Sequence, residues 1–230
     1  MTTQLLIYER ATPITRDRHG GWSVKTGKDY SFAKHVNAVP LTAVEFASAG
    51  GEYAIVFAGQ GDTVMPSVVL GVRNGENRYV ADDGTWTARY VPAFLRRYPF
   101  VFSSTDQGKT FTLCIDEEYA GFNQEGRGER LFDADGERTR YLEGVLQFLQ
   151  QYQAEYQRTQ AFCRKLQELD LLTPRQLQIT DKRTGARASL GGFLAVDRDR
   201  LKALSGDQLA DLARTDELEL LYIHLQSMRH

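Results

Sequence analysis

Five residues between positions 86 and 98 combine ring faces with fixed positive charge: Trp86, Tyr90, Arg96, Arg97 and Tyr98. A guanidinium is a planar fork that binds a carboxylate through two parallel hydrogen bonds and also stacks on aromatic rings. If these side chains converge, they form an aromatic floor with cationic forks, suited to a small planar carboxylate or a carboxylate-bearing peptide. The same residues admit a structural reading. Trp86, Tyr90 and Phe100 then fill the core, while the arginines hold Asp82, Asp83 or Asp116 at the surface. Arg96, Arg97 and Tyr98 could also stack on a base. However, 28 basic residues stand against 30 acidic ones, for a net charge of -2, so no global field draws nucleic acid.

Acid–base chemistry has four candidates: His19, His35, Asp116 and Glu117. That reading requires a cleft with at least two of them within hydrogen-bond reach of one point. The run Asp116-Glu117-Glu118 also reads as a solvated turn. The histidines, His19, His35, His224 and His230, include no pair three or four apart, so no helical metal clip is expected. Cys114 lies in an apolar strand pattern, where a thiol packs rather than attacks. There is no G-x-S-x-G turn, no Walker loop and no G-x-G-x-x-G, and Gly126-Arg127-Gly128 is too short to count as one. No cofactor is expected.

The 230 residues are 42% hydrophobic, with 12 Phe, 11 Tyr and 2 Trp, enough to bury a core. Cys114 and Cys163 form no C-x-x-C pair, and two buried thiols in a reducing compartment are expected over a disulfide. The first residues, Met1 to Arg10, lack the basic start and long apolar run of a secretory signal, and no stretch reaches the ~18 apolar residues of a membrane helix. The expectation is a cytoplasmic protein with no membrane insertion.

The elements that must position these groups follow from periodicity. Residues 1–130 read as strands and turns. Asn74-Gly75 predicts a hairpin of Val68–Arg73 with Asn77–Ala81, and Asp83-Gly84 extends it to a three-strand meander. Pro92 opens a short helix over Ala93–Tyr98, and Pro99 closes it. Phe100–Ser103 and Phe111–Ile115 read as strands joined across Asp106–Lys109. The glycine-rich, charged stretch 116–137 is the best boundary, within one domain covering 1–230. From 137 to 170, Leu142, Val145, Leu149, Tyr152, Tyr156, Phe162, Leu166 and Leu169 make one helical stripe. It predicts a helix lying across the sheet or, alternatively, a protein-partner or homodimer seam over 138–170. Leu177–Thr180 and Ala186–Val196 read as a hairpin around Thr184-Gly185. Short helices follow, capped by Asp197, by a Ser205/Gln208 capping box, and by Thr215. The fold class is α+β: a bent antiparallel sheet from the N-terminal half, covered by the long helix and the C-terminal short helices.

The string from Asn77 to Phe100 resembles the SapC family, bacterial proteins of about this size. The family pattern runs N-x-φ-V-x-x-x-G-x-W and then Y-φ-P-x-x-φ-R-R-Y-P-F. Asn77, Gly84, Trp86, Tyr90, Pro92, Arg96, Arg97, Tyr98, Pro99 and Phe100 occupy those places. The similarity reaches outward through His19, Val39-Pro40-Leu41, Glu45-Phe46, Ile55-Val56-Phe57, Leu113–Asp116, Leu131-Phe132 and Gly136-Glu137 to Ser227, three residues after His224. Ala54 departs from it, where a proline is expected. The family name implies a link to bacterial surface-layer proteins and names no activity. Combined with the residues, the resemblance implies a non-enzymatic binding or accessory protein, with an enzyme built on the His and carboxylate candidates as the alternative.

Overall fold

A computed structural model describes residues 6–105, 108–180 and 187–230. Its strands, in chain order, are β1 (Ala11–Pro13), β2 (Ser23–Val24), β3 (Ala38–Pro40), β4 (Ile55–Ala58), β5 (Met65–Val69), β6 (Phe100–Ser103), β7 (Thr112–Asp116), β8 (Phe122–Asn123), β9 (Glu129–Arg130), β10 (Leu172–Thr180) and β11 (Arg187–Val196). The α-helices are α1 (Arg16–His19), α2 (Phe46–Ala49), α3 (Ala93–Arg96), α4 (Arg140–Glu168), α5 (Arg198–Lys202), α6 (Gly206–Arg214) and α7 (Glu217–Ser227). The class is mixed α+β with antiparallel sheets, one long helix and short C-terminal helices. The described residues fall into two compact units. The first comprises 6–29 with 95–153, and the second 30–94 with 154–230.

In the first unit, β1, β7 and β6 form one antiparallel sheet, with Phe100 opposite Ile115 and Pro13 opposite Cys114. β8, β2 and β9 form another, which draws strands from the glycine-rich 116–137 stretch. Both sheets and the first turns of α4 enclose Val24, Phe100, Leu113, Ile115, Leu131, Phe132, Leu142 and Leu149. Leu142 and Leu149 are two helical turns apart and so share a face. Each such side chain, fully buried, contributes roughly 1.5–3 kcal/mol.

In the second unit the sheet order is β10-β11-β4-β5-β3, so the late hairpin completes a sheet begun by early strands. Ile55, Val56 and Phe57 are all buried on β4, as a central strand requires. Phe162, Cys163 and Leu166 of α4 are buried as well. The apolar stripe of α4 is thus taken up by the protein's own interior at Leu142, Leu149, Tyr152, Phe162 and Leu166. Cys114 and Cys163 are both buried, unbridged thiols.

Several local expectations change. The turn at Asn74-Gly75 forms, with φ of 75° at Gly75, but no ladder flanks it. β5 ends at Val69 because its edges are already taken by β3 and β4. What remains is a single bond from Arg78 N–H to the Leu70 carbonyl, 2.9 Å. The meander across Gly84 reduces to the isolated bridge Val80–Trp86. The helix after Pro92 stops at Arg96. The Ser205/Gln208 box and the Asp197 cap form, but the last helix is capped in position by Asp216 (φ 59°), while Thr215 donates to Glu217 Oε2 at 2.7 Å. Asp106 and the Thr184-Gly185 turn lie outside the described residues. No helix among the described residues is long and apolar enough to cross a membrane.

One polar cluster fixes α7 to the second sheet. Ile55 N–H donates to Ser227 Oγ (3.0 Å), and the Ile55 carbonyl accepts from His224 Nδ1 (2.8 Å). Val196 N–H donates to His224 Nε2 at 3.0 Å. His224 is therefore held neutral with the hydrogen on Nδ1. Burial lowers its pKa from 6.5 to about 4, against the opposing Ile55 bond. A depressed imidazole pKa means that the unfolded chain takes up the proton first. Stability is therefore full above pH 6.5 and falls as pH drops toward 4, by about 3 kcal/mol. Urea unfolding at pH 7 and pH 4.5 should show this loss, and His224→Gln should flatten the dependence while lowering stability at pH 7.

Candidate functional site

The first unit contains an open groove of about 470 Å³ lined by Arg96, Arg97, Tyr98, Phe100, Arg140, Tyr141, Gly144, Val145 and Phe148. One wall is the chain entering β6. The other is a face of α4, because 141, 144, 145 and 148 follow the i, i+3, i+4, i+7 spacing of one helical surface. Leu142 and Leu149, about a quarter-turn round from Tyr141 and Phe148, turn inward to the core. The helix thus buries Leu142 and Leu149 fully, while Tyr141, Val145 and Phe148 pack at the core's edge and also line the groove. Thr139 starts it, with Oγ1 accepting Leu142 N–H at 3.4 Å.

Three arginines and no acid line the groove. Arg96 is exposed, with its guanidinium carbon 5.4 Å from the Phe148 ring centre. Arg140 is also exposed, and among the described residues no carboxylate pairs with it. Arg97 is only 4% exposed. Its guanidinium lies 5.6 Å from the Tyr8 ring centre and 5.0 Å from that of Tyr152, so two π faces surround a fixed positive charge. Tyr8 donates to the Phe100 carbonyl at 2.7 Å. Burial pushes its phenol up to about 12 even though Arg97 pulls the other way. Burial likewise raises Tyr141 to about 12 and, together with the charge of Asp116, raises Tyr98 further. All three phenols are neutral at physiological pH, so the formal charge among the lining residues is carried by the arginines.

Gly144 is exposed in the middle of the helical wall, and a Cβ built there would meet nothing within 4 Å. Glycine inside a helix costs roughly 0.5–1 kcal/mol relative to alanine. Neither its φ nor any neighbour requires it.

The acid–base candidates divide. His19 and Glu117 meet: Nε2 donates to Oε1 at 3.0 Å, and the two side chains are 0% and 1% exposed. The other ring nitrogen accepts Thr15 N–H at 3.1 Å. Glu117 also pairs with Arg10 at 2.8 Å and Arg18 at 2.6 Å. Burial would raise its carboxyl, but the His19 bond and the two guanidiniums outweigh that and hold it below the usual range. Asp116, fully buried, accepts the backbone N–H of Glu9 (2.9 Å), Arg10 (3.0 Å) and Glu118 (3.3 Å), and the Tyr98 hydroxyl (3.2 Å). His35 belongs to the second unit, is exposed, and has Nδ1 3.3 Å from the Gly75 carbonyl.

The five expected ligand contacts also divide. Arg96, Arg97 and Tyr98 line the groove. Trp86 and Tyr90 belong to the second unit and do not line it. Trp86 is 8% exposed, and its Nε1 donates to Tyr53 Oη (3.0 Å) and to the Tyr90 carbonyl (3.1 Å). It stacks on Tyr79. The Tyr90 hydroxyl donates to Glu45 Oε1 at 2.8 Å. Sequence reasoning missed Arg140, Tyr141, Gly144 and Phe148. The available signal was apolar residues lying off the core stripe of α4, beside a glycine that no turn demands. Among the described residues no cluster of three His, Cys, Asp or Glu is placed to hold a metal.

Among known proteins, the model of the SapC family matches residues 14–230. No curated protein and no solved structure matches. The buried acid at the end of β7 gives a direct test of what holds the groove wall. Asp116→Ala leaves several buried donors unmet and should cost about 3 kcal/mol, against about 1 kcal/mol for Tyr98→Phe, both read by urea unfolding at pH 7.

Proposed function

We propose that this chain, which belongs to the SapC family, is a binding or accessory protein whose first unit takes a carboxylate-bearing small molecule or peptide in the α4 groove. The observation that carries the reading is three arginines and no acid around a groove with an apolar floor. A ligand pocket typically measures ~300–1,000 Å³ and pairs apolar walls with a few convergent polar groups. Arginine rather than lysine favours planar, bidentate anions, and the Phe148 ring under Arg96 pre-orients one fork. We extend the proposal to a cytoplasmic accessory role for bacterial surface-layer proteins; its support is the family name.

The acid–base alternative has less behind it. A general base needs an open nitrogen or oxygen facing substrate. Both His19 nitrogens are engaged within the protein, and Glu117 is surrounded by His19, Arg10 and Arg18.

Titration with 4-phenylbutyrate, followed by amide chemical shifts, tests the proposal. Saturable shifts should centre on Arg96, Arg140 and Phe148. Arg96→Ala and Arg140→Ala should each weaken binding about tenfold, the loss of one charge-assisted bond, with unchanged melting temperature. An absence of shifts at high millimolar probe, or shifts confined to the second unit, would overturn it.

A further inference from the structure

The arginines of the groove are not all at one end of its helical wall. Arg140 opens α4, and Phe148 lies eight residues on, roughly 12 Å along the axis at 1.5 Å per residue. Arg96 sits over Phe148 and so marks the far end. Between these ends the helix offers Tyr141, Gly144 and Val145, and Phe100 faces them from β6. The middle is therefore apolar, and it is also where the helix carries its unexplained glycine. Any larger side chain at 144 would project into open space above the groove. A helix that accepts the cost of glycine where nothing in the protein approaches leaves its backbone bare to something from outside.

Building on the anion-binding reading above, we propose that the groove's ligand is an elongated dianion. Its two carboxylates lie about 12 Å apart, one at Arg140 and one at Arg96, and an apolar stretch crosses α4 at Gly144. A compact monoanion would satisfy one end and gain nothing from the other. The same chemistry has two sources. One is an aliphatic dicarboxylate. The other is an extended peptide with two acidic side chains bracketing apolar residues, since three or four residues at about 3.3 Å each cover the span.

The test is calorimetric titration with succinate, sebacate and decanoate, and with the blocked peptides acetyl-Glu-Leu-Phe-Glu-amide and acetyl-Gln-Leu-Phe-Glu-amide. Sebacate should bind about tenfold more tightly than decanoate, which matches it in length and lacks one carboxylate. It should also bind more tightly than succinate, which is too short. Arg140→Ala should remove the advantage of sebacate over decanoate. Gly144→Leu, checked by thermal melting, should weaken sebacate and leave succinate unchanged. If the diacidic peptide exceeds both sebacate and its Gln partner, the source is polypeptide; if sebacate leads, it is a small molecule. Equal binding of sebacate and decanoate would overturn the dianion while leaving a simple anion site standing. Failure of every probe would overturn the anion site itself.

Discussion

A buried carboxylate must be met by donors, and each unit is organised around one that is. In the first, Asp116 gathers three backbone N–H groups and the Tyr98 hydroxyl. In the second, Glu45 accepts from Thr42 N–H and Oγ1, from the Tyr90 hydroxyl and from Ala93 N–H. The distinctive string from 86 to 100 is tied to both: Tyr90 and Ala93 to Glu45, Tyr98 to Asp116. An unpaired carboxylate at either place would cost several kcal/mol. Within the first unit, Arg96 and Arg97 directly precede the tied Tyr98.

The two arginines play different parts, although they are adjacent. Arg97 is enclosed by the Tyr8 and Tyr152 rings and acts as a fixed charge in the wall. Arg96 lies over Phe148 and reaches solvent. Tyr8 couples this arrangement to the N-terminal segment. Its hydroxyl bonds the Phe100 carbonyl, and the two residues after it bond Asp116. Next in the acidic run, Glu117 pairs with His19, Arg10 and Arg18. Charges that read as acid–base candidates thus hold the N-terminal segment and α1 in place.

The apolar surface of α4 is wider than its fully buried stripe. A stripe at Leu142 and Leu149 is what any buried helix shows. Beside it, Tyr141, Val145 and Phe148 are half-buried: they pack against the edge of the core and, with Gly144, also line the groove. Gly144 sits exposed in the middle of that wall, with no neighbour that requires it.

Sequence periodicity determined the α+β class, the extent of the long helix, the β6–β7 pairing and the Ser205 and Asp197 caps, because these depend on neighbours within a few residues. It also singled out Arg96, Arg97 and Tyr98 through the family string. Local signals did not decide the partners of β5. Asn74-Gly75 forms its turn, yet β5 pairs with β3 and β4, since a strand edge goes to whichever partner buries more apolar surface. Nor could they place Trp86 and Tyr90 in one unit and the arginines in the other, or bring Arg140 and Phe148 opposite residues some fifty positions earlier. Those juxtapositions come from long-range burial and from the donors that Asp116 and Glu45 require, which only the folded chain supplies.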